Sequence, residues 1–397
     1  MVDSICTRRR LLAAVGATSV SAVAGCSSTL FGGDVEYIQD APVGEVTGPW
    51  PTYQHDFART GATTDPGPSS EATESTVLET PNAGIISQVS FADGRGVFGT
   101  ADGEGNGGPY MSFQTDGKPR VWKTEVGLGS SPVTIAGDAV FGSTAEGIRV
   151  YDARNGGLCW QAKSGSAGNT NAPILTGETV LSCDSSSVVA HDAVTGQTKW
   201  TFTAEEIKDV GLRDDVVYVQ LEASIAAVDP TSGDQLWRRF DLPETAAPIV
   251  IGDMTVYYSE RGGKLYALSI ADQGETKWKR SIPNDYTHSL AVSNNRIHVA
   301  TTDSSDRGVL TTLDAADGST INTEKHPDGR TSPPVVADGT QFWLGKEKLY
   351  ASDAGTGSPK WSLELNATPT YESSLSVHGP DLCFVSKNGV VNVSDAA

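Results

Sequence analysis

Five aspartates recur at steps of 40, 37 and 39 residues with one double step of 85: Asp152, Asp192, Asp229, Asp314 and Asp353. Carboxylates gathered round one point would supply acid–base catalysis or a hard-cation site. Their context argues against that chemistry. Each is followed four residues on by a glycine, at Gly156, Gly196, Gly233, Gly318 and Gly357. That grouping is turn chemistry, in which the carboxylate accepts backbone N–H bonds and the glycine takes the positive φ of a hairpin. One aspartate per repeat stands apart from the others, so all five are expected to be structural. Asp102-Gly-Glu104-Gly-Asn106 opens like a calcium loop, but Phe113 stands where an EF-hand places its bidentate Glu, and a hairpin tip is expected instead. The six histidines, His55, His191, His288, His298, His326 and His378, show no zinc-site spacing. No nucleophile elbow or P-loop is present. Cys159, Cys183 and Cys383 read as core thiols, with one disulfide among them left open. No catalytic residue and no metal ligand is assigned.

The clearest chemical signal lies at the N-terminus. Arg8-Arg9-Arg10 precede a charge-free stretch, Leu11 to Ala24, too short to span a membrane, and the pair of arginines before it reads as a twin-arginine export signal. Val23-Ala24-Gly25-Cys26 matches a lipobox, which makes Cys26 the lipidated first residue of the mature chain. Residues 1–25 are therefore a signal peptide and 26–48, rich in Gly, Ser and Thr, a flexible tether. The protein is expected outside the cell, held to the membrane by its lipid. Acidic side chains number 49 against 29 basic ones, a formal charge of −20, with no basic cluster beyond the first ten residues. Nucleic acid is excluded as a partner. Such acidity resembles that of proteins adapted to very high salt.

The elements that hold these residues are repeats. A Trp follows the turn glycine by four residues, giving Trp160, Trp200, Trp237 and Trp361. Trp278 follows a turn with one inserted residue, Ser269 to Gly274, and Asn322 holds the Trp place after Gly318. A looser copy ends at Trp122. Trp-to-Trp steps of 38, 40, 37 and 41 residues, then 83 across the Asn322 copy, are blade lengths of a β-propeller. Each period holds four short strands, of which Pro-Val-Thr-Ile-Ala-Gly-Asp-Ala-Val-Phe-Gly142 shows two around a Gly-Asp turn. A flat indole at a fixed place would dock blade to blade, with the Ala two residues before the Asp leaving it room. After Trp361, three more strands end the chain, most of a further blade. The fold expected for residues 49–397 is all-β: an eight-bladed propeller of four-stranded blades, with seven blades as the alternative.

The pattern Ala-x-Asp-x-x-Thr-Gly-x-x-x-Trp resembles the tryptophan-docking repeat of PQQ-like β-propellers, which include quinoprotein dehydrogenases and BamB-like assembly lipoproteins. Trp50-Pro-Thr-Tyr-Gln-His-Asp-Phe-Ala-Arg-Thr-Gly61 resembles the segment that opens BamB-like propellers. The likeness implies a BamB-like lipoprotein of haloarchaeal type, a monomeric, non-enzymatic scaffold for an unknown protein partner. The alternative it implies is a dehydrogenase or small-ligand binder with PQQ and calcium on the axis. That reading calls for adjacent cysteines over the cofactor, and this chain has none.

Overall fold

The computed structural model describes residues 35–80, 84–85, 87–101, 107–115, 122–124, 131–144, 146–163, 171–245, 247–282, 286–305, 307–327, 329, 332–370 and 373–395. The signal peptide, Cys26 and the Asp102 to Asn106 motif lie outside the described residues. Runs such as Val216–Leu221 and Leu382–Val385 are dense in β-branched and aromatic side chains and form strands buried on both faces. Polar alternation in Thr198–Thr203 instead gives a half-exposed outer strand.

Among the described residues the strands form eight sheets, each an antiparallel meander with a four-strand body. Blade 1 runs from Gly84 to Lys123, with its first strand in two pieces, and blade 2 is Val133–Ala136, Ala139–Thr144, Gly147–Asp152 and Leu158–Lys163. Blades 3 to 7 start at Ile174, Ile207, Val250, Tyr286 and Val335. Blade 8 takes three strands from the C-terminal end, Ser376–His378, Asp381–Ser386 and Gly389–Asp395, and its outermost strand, Ala72–Glu79, from the N-terminal side. Ala72 pairs with Asp395 and Glu79 with Gly389, so the ring is closed by joining the two ends of the chain in one sheet. Eight blades, not seven, is the count.

Among the described residues the core is divided into several clusters rather than one. Apolar side chains pack between neighbouring sheets, as where Phe141 and Val150 of blade 2 meet Leu175 and Val180 of blade 3. Burial of each such side chain contributes roughly 1.5–3 kcal/mol, so stability is spread round the ring. A β-bulge recurs where the third strand meets the fourth, after Val150, Ala190, Ala227, Ala267, Thr312 and Ala351. It adds twist at the outer edge of each sheet, just beside the Asp–Gly turn.

The stretch expected as a tether to residue 48 joins the ring earlier. Val35–Tyr37 adds a fifth, antiparallel strand to the outer edge of blade 2, where Val35 pairs with Ala162 and Tyr37 with Trp160. Backbone bonds then tie Ala41 to Val194 and Gly44 to Ala136. Gly- and Thr-rich composition suggested flexibility, but free edge amides of blade 2 offer the chain partners it accepts.

Candidate functional site

The repeated residues come together in pairs across blade boundaries. Trp122, Trp160, Trp200 and Trp278 each donate an indole N–H to a carbonyl in the next blade's turn: Ala153, Ala193, Pro230 and Ala315, at 2.7–3.1 Å. The face of each ring lies on the turn glycine. A Cβ built on Gly196 would stand 2.6 Å from the Trp160 ring, and φ there is 77°. Gly156 meets Trp122, Gly233 meets Trp200, and Gly318 meets Trp278 in the same way. The room for the indole of the preceding blade thus comes from the glycine, and the small Ala has another place. Ala190, Ala227, Ala267 and Ala351 lie directly across the ladder from the Trp of their own blade.

Two positions depart from the pattern. The residue inserted before Gly274 shifts that turn, so Trp237 reaches it only with its ring edge and shares the place with Arg239. Asn322 donates its side-chain amide to the Gly357 carbonyl, a short polar substitute for the indole. Trp361 faces blade 8, which is closed by the N-terminal strand, and packs on Phe342 at 5.8 Å between centroids. Trp200, Trp237 and Trp361 are only partly buried, whereas Trp160 is wholly so.

The five aspartates sit one per blade in the turns. Asp192 accepts the N–H groups of Val194 and Thr195, Asp229 those of Thr231 and Ser232, and Asp353 those of Gly355 and Thr356. Asp314 accepts from Ala316, and Asp152 from Arg154. The Arg154 guanidinium holds Asp152, and the Thr356 N–H holds Asp353, below the usual carboxylate range.

The centre of the ring is occupied by a segment whose role the repeat pattern does not show. Residues 50–63 wind round the axis and hand backbone carbonyls to the innermost strand of blade after blade. Trp50 exchanges bonds with Phe91 of blade 1, and Pro51 accepts from Ile135 of blade 2. Phe57, Ala58, Thr60 and Gly61 accept from Leu212, Ile251, Val292 and Val336 of blades 4, 5, 6 and 7, each at 2.8 Å. Ala62–Thr63 then runs parallel to Val336–Ala337 as an added inner strand of blade 7. Gln54, His55 and Arg59 take positive φ, the left-handed conformation that side chains rarely adopt, so the surroundings hold this path against strain. Arg59 anchors it. Its guanidinium lies 3.1 Å from Asp209 of blade 4, donates to the Val210 carbonyl and covers the Tyr53 ring. Both charged side chains are at most 3% exposed, and burial pushes Asp209 up while Arg59 pulls it down.

Above this segment one face opens into a funnel of about 1090 Å3. Its wall combines Thr63, Asp65, Arg213, Asp253, Met254 and Lys277 with His55, which packs on Trp50 at 5.2 Å. Arg213 is bonded to Asp253, and Lys277 donates to Thr255. A PQQ–calcium pair needs six to eight oxygen ligands round the ion. Among the described residues no three His, Cys, Asp or Glu side chains converge on a point, and the axis itself carries residues 50–63. Cys159, Cys183 and Cys383 are all free thiols in separate sheets. A further repeat lies in the serines at twelve residues' distance from their partners: Ser87, Ser131, Ser332 and Ser373 each accept the backbone N–H twelve residues on, so their hydroxyls fix the entry to a blade.

A closed ring of eight four-stranded blades, docked by indole on glycine at the rim, defines a propeller of the PQQ-repeat class. The family described as outer membrane protein assembly factor BamB matches residues 105–220 and 221–397, and the chain belongs to it. No curated protein sequence matches. Among solved structures, BamB from Moraxella catarrhalis is similar with a TM-score of 0.63 at 15% identity, over 81% of this chain and 99% of that one. Quinohemoprotein alcohol dehydrogenase from Comamonas testosteroni is similar with a TM-score of 0.70 at 12% identity, over 88% and 81%. The computationally designed Ika8 protein gives 0.66 at 14%, over 80% and 98%. At these identities the likenesses establish the fold alone.

Proposed function

We propose that this protein is a non-enzymatic scaffold: a propeller held by a lipid on Cys26 at the outer face of the cell membrane, binding another envelope protein during its assembly or quality control. The observation that carries this reading is the axial segment. Residues 50–63 tie six inner strands to one another, leaving a stiff frame whose turns are free to vary, the arrangement suited to recognising a protein surface. Membership of the BamB family supports it.

The test has two arms on the purified lipidated protein and on intact cells. Thermal unfolding in the presence of PQQ and Ca2+ is expected to keep its midpoint. Crosslinking on cells is expected to trap a discrete heavier species containing a second envelope protein. A saturable rise of the midpoint would overturn the reading, since a ligand at a hundred times its Kd adds about 2.7 kcal/mol.

A further inference from the structure

The path of the chain fixes which face of the ring meets the membrane. In blades 2 to 7 the first and third hairpins open on the funnel side, where Asp253, Asn294 and Ala315 line the wall, and the second on the opposite side, because successive strands of a meander alternate in direction. In blade 2 the outer strand therefore leaves the funnel-side turn at Gly157 and runs toward the opposite face, ending at Lys163. Val35–Tyr37 is antiparallel to it and climbs the other way. Its last residue lies beside Trp160, near the funnel-side turns, and the following residues bond to Val194 and Gly137 in those same turns. Its first residue lies beside Ala162, five residues below Gly157, or about 16 Å from that face at 3.3 Å per residue.

We propose that the face opposite the funnel is turned toward the lipid surface, and that the funnel face is the one presented outward to the partner. This rests on the reading of Cys26 as the lipid anchor. From Cys26 to Val35 are nine chain steps, which reach at most about 30 Å. With the opposite face down, all of that reach separates the ring from the membrane. With the funnel face down, the tether must double back along the side of blade 2, and more than half its reach is spent in coming level with the turns.

The test uses full-length lipidated protein in vesicles of phosphatidylcholine and phosphatidylglycerol that carry a quencher on their headgroups. A fluorophore is attached at Ala223→Cys, in the second hairpin of blade 4, or at Met254→Cys, on the funnel rim; both positions are exposed. Lys387→Cys and Thr231→Cys form a second pair should either of the first variants fold poorly. The native thiols stay unlabelled under native conditions, because burial pushes Cys183 up to about 12 and Cys383 further. The expected result is strong quenching at 223 and 387 and none at 254 and 231. Equal quenching, or quenching on the funnel side, in protein that floats with the vesicles would overturn the orientation while leaving the anchor intact. Protein that fails to float, or a Cys26→Ser variant that floats as well as the parent, would overturn the anchor reading and the orientation with it.

Discussion

The rim and the axis hold the same blades together by different means. At the rim, each joint is made of side chains: Trp160 lies on Gly196 and donates to Ala193, and the arrangement repeats from blade to blade. At the axis the joints are main-chain bonds from one continuous segment, locked by the buried pair of Arg59 and Asp209. The difference teaches that a repeat can supply neighbour-to-neighbour contacts, while a non-repeating strap is what lets distant blades share one constraint. The joint between blades 6 and 7 shows the two working together. There Asn322 replaces the indole, and the load moves inward to Trp343, stacked on Tyr350 at 5.3 Å and flanked by His326.

The largest expected effect breaks the rim at its best-packed joint. Trp160→Ala should cost about 3–5 kcal/mol in urea unfolding, because a wholly buried indole leaves a cavity between blades. A cost within ~0.5 kcal/mol of zero, the ordinary surface range, would remove the docking argument. Breaking the axis comes next. Arg59→Met should cost about 3 kcal/mol by leaving the Asp209 carboxylate buried and unpaired, and adding Asp209→Leu should recover most of that loss. A double variant no better than the single one would mean that Arg59 acts through the Val210 carbonyl and the Tyr53 ring.

Acid sharpens the comparison, because the interior of the ring holds neutral histidines. Burial pushes His191 and His298 down to about 4. With folded values below the unfolded value of 6.5, the unfolded chain binds protons first, so stability is full above about pH 6.5 and falls as pH drops toward 4. Each histidine should account for roughly 2–3 kcal/mol of that fall. Asp152, Asp192 and Asp353, held below the carboxylate range, keep their contributions through this window and lose them only at lower pH. A stability profile flat between pH 6.5 and 4.5 would contradict it. The smallest effect is at the substituted joint: Asn322→Ala should cost about 1 kcal/mol, one hydrogen bond without a cavity. A loss as large as that of Trp160→Ala would show that the inner aromatic stack does not carry the joint.

This contrast also explains what the sequence made legible. The Asp, Gly and Trp of each turn repeat because the same local geometry is needed in each blade, and their spacing predicts the blades and the structural role of the aspartates. The axial path left no such mark. Carbonyls of Phe57, Ala58, Thr60 and Gly61 carry no side-chain signature, and Arg59 meets its partner across 150 residues of chain. Blade 2's fifth strand was hidden for a related reason: Val35–Tyr37 is too short for an alternating pattern to declare itself.

The most direct test of the axial strap is amide hydrogen exchange read residue by residue on the native protein. Ile135, Leu212, Ile251, Val292 and Val336 lie on innermost strands and have residues 50–63 as their acceptors. They should exchange as slowly as Val219, an amide in the middle of a blade. If those five amides exchange as fast as the exposed hairpin tips while Val219 stays protected, the segment does not hold the axis and the frame proposed for partner binding loses its centre.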